Sequence, residues 1–296
     1  MSIMGVLKFM AKHPLTRDSQ VQSFARFLKW QISSRLAPGA IVYEWTNGAK
    51  FLVKAGETGL TGNIYTGLHE FPEMGYVLHV LRDDELFVDV GSNVGSYTIL
   101  ACAAAGARGV AIEPVPQTFL KLVENMRINH LERRVSCLNI GVGSEAGHVS
   151  FTGDLDTANH VIASSERSDK CIQIEIRRLD DLLQNESAIV MKMDVEGYET
   201  PALEGAQATL RNPALHSVIM ELNGAGHRYG YDESRIVEMM FDHGFRTFAY
   251  DPLTRRLTNL SGKNPLSDNT LFIRNQSLVM ERLASSRQIR ILGKEF

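Results

Sequence analysis

A chain of 296 residues, 44% hydrophobic and 22% charged, is long enough to bury a sizeable core and too apolar for disorder. Its formal net charge of −3 offers no global basic field of the kind that draws a protein to nucleic acid. Three cysteines, Cys102, Cys137 and Cys171, form no CxxC pair, which argues against a zinc ribbon or disulfide framework and makes a reduced, cytoplasmic setting the default.

The first ten residues are mildly apolar and include Lys8, with no long apolar centre and no A-x-A-like cleavage site, so no signal peptide is expected. No apolar run approaches the roughly 18 residues of a spanning helix, so no transmembrane segment is expected. Val21, Phe24, Phe27, Leu28 and Ile32 recur at helical spacing and predict an amphipathic helix over 18–35. Such a helix packs on the main domain or on a second subunit, which makes a homodimer a possible assembly. Arg26, Lys29 and Arg35 are few positive charges for a membrane-surface helix. Residues 41–53 read as a hairpin turning at Asn47-Gly48.

From residue 75 the rhythm changes. Strands are predicted at 86–90, 109–113, 135–139, 188–193, 217–221, 246–250 and 269–273, with helices at 95–105, 116–130, 180–183, 199–210 and 232–243. Residues 149–151 and 171–176 read as added antiparallel strands. Strands alternating with helices imply parallel units and a doubly wound α/β sheet, in which ligands sit outside the carboxyl ends of the strands.

Those ends carry the chemistry. The first strand runs into Asp89-Val90-Gly91-Ser92-Asn93-Val94-Gly95. Gly91 and Gly95 permit a tight turn and close backbone approach. The G-x-G-x-x-G nicotinamide fingerprint fails, because Asn93 and Thr98 stand where glycines should. A pyrophosphate would be repelled by Asp89, whereas the ammonium of S-adenosylmethionine would be attracted. Glu113 ends the second strand, about 20 residues beyond the glycine loop, where an acidic side chain can accept both ribose hydroxyls. The fourth strand ends in Lys192-Met193-Asp194-Val195-Glu196-Gly197-Tyr198-Glu199, and the fifth in Glu221-Leu222-Asn223-Gly224. Such oxygen-rich ends suit a general base for a substrate hydroxyl, with Asp194 first and Glu196, Glu221 and Asn223 after it. They equally suit a hard cation such as Mg²⁺ held by Asp194, Glu221 and Asn223. Glu199 reads more simply as a helix-opening residue. His227, in a Gly-flanked loop, is a further candidate base, and His69 and His160 read as packing or surface residues.

Phe87 to Thr98 (FVDVGSNVGSYT), Glu113-Pro114 and Met193 to Glu199 (MDVEGYE) resemble the FkbM-type methyltransferases. So do Asn125 and Asn129, the run Arg178 to Leu182, and Asn269 to Phe272, so that the resemblance spans about residues 64–275. It implies a class I methyltransferase, Rossmann-like fold, S-adenosylmethionine as donor, and usually O-methylation of a hydroxyl on a sugar, glycan or natural-product acceptor. One departure is Ser92, where the family usually has Ala. Carried over by position, Asp89, Gly91, Asn93 and Gly95 form the methionine-side loop, Glu113 holds the ribose, and residues 139–142, with Asn139 and Gly141, border the adenine. Asp194 and Glu196 face the methyl and the acceptor, and Glu70 corresponds to an acidic position that approaches the donor's amino group. The organisation expected is an N-terminal helix and hairpin extension over 1–63, the methyltransferase domain over 64–276, and a helical tail over 277–296. An oxidoreductase on a related sheet and a non-catalytic donor-binding protein are the competing readings. Substrate choice is expected to lie in the N-terminal segment and in the insertions at 154–170 and 224–231.

Overall fold

In a computed structural model, residues 3–57, 60–153, 159–163, 166 and 171–296 are described. Most of the expected insertion at 154–170 therefore lies outside the described residues. Two helices open the chain, α1 (Ile3–Lys12) and α2 (Gln20–Leu36), followed by the hairpin β1 (Ile41–Glu44) and β2 (Lys50–Val53). The hairpin turns where expected, because Asn47 and Gly48 both accept positive φ (50° and 81°). Next come α3 (Thr61–Thr66) and α4 (Phe71–Val80). Neither these two helices nor α1 is among the elements predicted from the sequence. In α4 every residue but Pro72 is buried, so the helix has no polar face whose period could be read.

The core alternates as the strand–helix rhythm requires. It comprises β3 (Leu86–Val90), α5 (Ser96–Ile99), β4 (Arg108–Ile112), α6 (Pro116–Ile128) and β5 (Val135–Leu138). Then follow β6 (Gly141–Val142), β7 (Gly147–Thr152), β8 (Cys171–Arg177), α7 (Leu179–Leu182), β9 (Ala188–Met193), α8 (Glu199–Glu204), α9 (Gln207–Arg211) and β10 (Ser217–Glu221). The chain closes with α10 (Glu233–Asp242), β11 (Arg246–Asp251), β12 (Arg256–Asn259), β13 (Asn269–Ile273), α11 (Gln276–Ala284), β14 (Arg290–Ile291) and β15 (Lys294–Glu295).

Eight strands form the main sheet in the order β12-β11-β13-β10-β9-β3-β4-β5. The five from β10 to β5 are parallel, and β13 runs antiparallel to both β10 and β11. β3 lies centrally, with β4 and β5 to one side and β9 and β10 to the other, so the crossover reverses between β3 and β9. A crevice opens at that reversal. Side-chain alternation divides the core: Phe87, Val190 and Ile219 join the apolar cluster that holds α1, α2 and α4, while Val88, Met191 and Val218 join the cluster on the other face. The N-terminal segment is thus continuous with the main core. β7 pairs antiparallel with β8, as expected, in a separate small sheet with β6.

Two expectations need correcting. The single helix over 199–210 is broken into α8 and α9, because Gly205 passes so close to the Gly143 carbonyl that a Cβ there would lie 2.0 Å from its oxygen. The Asp180 carboxylate then caps the restarted helix, accepting from the amides of Ala208 (2.9 Å) and Thr209 (2.8 Å). The C-terminal tail is helical only to Ala284. Beyond it β14 and β15 form a hairpin, turned by Leu292 and Gly293 with positive φ, that delivers Phe296 against Phe71 and His79.

Candidate active site

A cavity of about 820 Å³ opens at the carboxyl ends of β3, β4, β5 and β9. That is within the usual range for a small-molecule site. Its floor is the turn after β3. Gly91, Asn93 and Gly95 all have positive φ (78°, 50° and 90°), which folds the chain back on itself. A Cβ on Gly91 would lie 1.7 Å from the Asp194 carbonyl oxygen, so only glycine lets this turn pass the end of β9.

Glu113 ties the next loop to this turn. One carboxylate oxygen accepts from the Asn93 amide and the other from the Val115 amide, each at 2.9 Å. Burial pushes its pKa up to about 7, although both hydrogen bonds oppose the shift. Each oxygen keeps a lone pair that can accept a hydroxyl. Asp89 is buried and accepts from the Thr98 hydroxyl at 2.5 Å, and burial pushes it up to about 6. Asn125 braces the loop from α6: its Nδ2 donates to the Val94 carbonyl (2.8 Å), and its Oδ1 accepts from the Leu52 amide of the hairpin (2.7 Å). Asn129 continues the same edge through Lys50. The two asparagines of the family motif therefore join the extension to the glycine loop.

At the other end of the cavity stands Lys192, which the sequence reading did not single out. It is only 2% exposed. Its Nζ lies 3.0 Å from Asp194 Oδ2 and 5.3 Å from the centre of the Tyr97 ring. Burial works against this ammonium, but the carboxylates of Asp194 and Glu70 outweigh it and hold the pKa above the ordinary lysine value. Burial likewise opposes the charge on Asp194, yet Lys192 and a hydrogen bond from Glu221 keep its pKa below normal. Glu221 is pushed up by burial and by that neighbouring charge, so it stays protonated and donates. The Tyr97 hydroxyl donates to Glu70 at 2.5 Å. Glu196, with φ 54°, precedes Gly197, with φ 94°. Burial, followed by the Asp194 charge, pushes Glu196 up to about 7. Glu199 braces this turn by accepting from the Val195 (3.1 Å) and Gly197 (3.3 Å) amides, so its role is structural.

Glu70, Asp89, Gly91, Asn93, Glu113, Gly141, Asp194 and Glu196 are thus brought to one cavity. Gly95 turns the loop behind it, against Leu122. Asn139 is exposed and outside the lining, and it braces the end of β4 through the carbonyls of Glu113 (2.8 Å) and Pro114 (3.0 Å). His227 is exposed on the short turn Ala225–Tyr229 and does not line the cavity. The oxygen set expected for Mg²⁺ is not assembled. Asn223 is exposed with its Oδ1 accepting from the Ala225 amide (2.8 Å), and Glu196 takes its place beside Asp194 and Glu221, all three within 4.8 Å. The positive charge there is the Lys192 ammonium, so no step through a metal is derived.

The groups present suit S-adenosylmethionine. Ser92, at the position where the glycine loop departs from the family, lines the cavity, with its hydroxyl buried and without a hydrogen-bond partner among the described residues. The same cavity is also lined by Phe9, Phe27, Trp30 and Tyr65 of the N-terminal segment, with Gln31 and Arg35.

The model of the methyltransferase FkbM domain matches residues 89–247. The hexuronic acid methyltransferase AglP of Haloferax volcanii is 31% identical over 152 residues, 50% of this chain and 59% of that protein. Methyltransferase 1 of Beauveria bassiana is 26% identical over 160 residues, 46% of this chain and 64% of that protein. The chain thus spans less than two thirds of the length of these relatives. Among solved structures, precorrin-6y C5,15-methyltransferase of Geobacter metallireducens aligns over 75% of this chain and 92% of its own, with 12% identity and a TM-score of 0.41. With the family model matching more than half its length, and the glycine loop, Glu113 and the 193–199 turn gathered round one cavity, the chain belongs to the FkbM methyltransferase family.

Proposed function

We propose that this chain transfers a methyl group from S-adenosylmethionine to a hydroxyl of a sugar acceptor. The observation that carries the acceptor class is the aromatic wall that Phe9, Phe27, Trp30 and Tyr65 give the cavity. Aromatic faces can cover the C–H face of a pyranose, and Gln31 beside them offers a polar side chain to its hydroxyls. The hexuronic acid named for the Haloferax relative agrees with that chemistry, and Arg35, which lines the same cavity, supplies a cation for a uronate.

When bound, S-adenosylmethionine supplies an electrophilic methyl on a sulfonium. The protein's own task is to hold, align and deprotonate. Glu113 would accept the ribose hydroxyls with its free lone pairs. Lys192 and Asp194 form a fixed ion pair that orients the acceptor hydroxyl through Asp194. Glu196 takes the hydroxyl proton, because a base with a pKa of about 7 removes a proton near neutral pH better than one held low, as Asp194 is. With the donor bound, loss of the O–H proton to Glu196 would let the acceptor oxygen take the methyl as the carbon–sulfur bond breaks, the sulfonium becoming a neutral thioether.

The test is turnover with labelled donor on uronic-acid glycosides, neutral glycosides and simple phenols. The uronic-acid glycosides are expected to gain one methyl. Glu196→Gln should lower kcat about 10²–10⁴-fold with donor Kd unchanged. In the wild type, kcat should rise with pH through about 7, since Glu196 must be deprotonated to act. Full turnover by Glu196→Gln refutes the base, and methylation of phenols alone refutes the sugar acceptor.

A further inference from the structure

We infer that helices α1 and α2 seat this protein on an anionic membrane surface, with the mouth of the cavity at the interface. On α2, Val21, Phe24, Leu28, Ile32 and Leu36 follow at i, i+3, i+7, i+11 and i+15, and all five are exposed, Val21 by 81% and Leu36 by 79%. At about 100° per residue they fall in a single arc, opposite the buried Ser23, Phe27, Trp30 and Ser34. A continuous exposed apolar row of this length marks an interaction face.

Charge decides the occupant. Residues 1–40 carry Lys8, Lys12, Arg17, Arg26, Lys29 and Arg35 against the single acid Asp18, in a chain whose total is −3. The sequence pattern alone counted only the three cations of the second helix. Folding packs α1 against α2 and adds Lys8 and Lys12, which with Lys29 are exposed and make no ion pair among the described residues. Two copies joined through this face would set like charges against each other. An anionic bilayer takes both features, burying the apolar row and attracting the cations. Gln31 and Arg35, at the edge of the apolar arc, also line the cavity, as do Ile3 and Val6 of α1. Docking by this face therefore presents the cavity to molecules held at the bilayer. Among the described residues no helix is long and apolar enough to cross it, so the contact is peripheral.

The experiment is cosedimentation of the full chain with phosphatidylcholine vesicles, pure or containing about 30 mol % phosphatidylglycerol. It needs neither donor nor acceptor, so its outcome is independent of the proposed reaction. Binding to the anionic vesicles is expected at 0.1 M salt, where the Debye length is about 10 Å, and should weaken strongly at 0.5 M. Lys8→Gln/Lys12→Gln/Lys29→Gln should weaken it about a hundredfold, at about fivefold per cation. Phe24→Ser/Leu28→Ser/Ile32→Ser should abolish it. Both variants should keep the rise in melting temperature on adding S-adenosylmethionine, which reports a folded donor site, because none of these residues lines the cavity. Equal binding to neutral and anionic vesicles overturns the inference. So does no binding at 0.1 M salt, or a dimer in sedimentation velocity that the serine variant splits.

Discussion

Replacing Lys192 with Met removes the buried ammonium beside Asp194 and keeps most of the side-chain volume. At 3.0 Å and an effective dielectric of about 20, the Lys192–Asp194 attraction is about 5 kcal/mol before desolvation is subtracted. Breaking a buried pair by removing one partner costs about 3–5 kcal/mol, because the other charge is left uncompensated. Asp194, with its side chain 31% exposed, belongs near the lower end of that range. At roughly 2–4 °C per kcal/mol for a domain of this size, the melting temperature should fall by about 10 °C at pH 8. The pH dependence has a definite sign. In the wild type Asp194 has a lowered pKa, so its contribution is present above the unfolded value of 3.8 and is lost only as pH falls through the still lower folded value. In Lys192→Met, burial and the neighbouring carboxylates raise that pKa instead, so acid neutralises the stranded charge. The deficit relative to wild type should therefore shrink between pH 8 and pH 5. Lys192→Met/Asp194→Asn should recover most of it. Differential scanning calorimetry of the three proteins at both pH values checks this. A deficit equal at pH 5 and pH 8, or a double variant worse than the single one, would refute the ion-pair account.

Two further outcomes test the scaffold. Gly91→Ala combines a positive φ, costing about 1–2 kcal/mol, with a Cβ 1.7 Å from the Asp194 carbonyl oxygen. It should lower stability and abolish donor binding by calorimetry, whereas Gly39→Ala, which meets no atom within 4 Å, should do neither. Asn125→Ala leaves the Leu52 amide and the Val94 carbonyl without partners, at about 1–3 kcal/mol each if they stay buried. Hydrogen exchange at the Leu52 amide should accelerate as the hairpin detaches from the glycine loop, and unchanged exchange would show that this asparagine is not the link.

The parallel sheet and the cavity floor were legible because they depend on local rules. Buried parallel strands such as 86–90 and 188–193 read as short apolar runs, and the residues that end them line the crevice as topology demands. Lys192 was passed over because a charge inside an apolar strand gives no local sign of what it faces. Only Asp194 is close in sequence, two residues on; Glu70, Glu221 and Tyr97 come from three other segments. Asn223 and His227 looked like site residues for the opposite reason: both stand just past a strand end, but the short turn at Ala225–Tyr229 carries them to the surface.

By itself the sequence determined the strand–helix alternation of the central sheet, the glycine turn that only small or left-handed residues can make, and the acidic ends of the central strands. These are properties of neighbours along the chain, where period and φ decide. Tertiary structure alone decided which carboxylates stay ionised, since Lys192 and a hydrogen bond from Glu221 hold Asp194 low against its burial, while burial leaves Glu196 and Glu113 near neutrality. It also decided where the first forty residues lie: one face of α2 walls the cavity and the other lies bare, with α1 packed beside it. Charge and desolvation act through space, so residues far apart in sequence set them together.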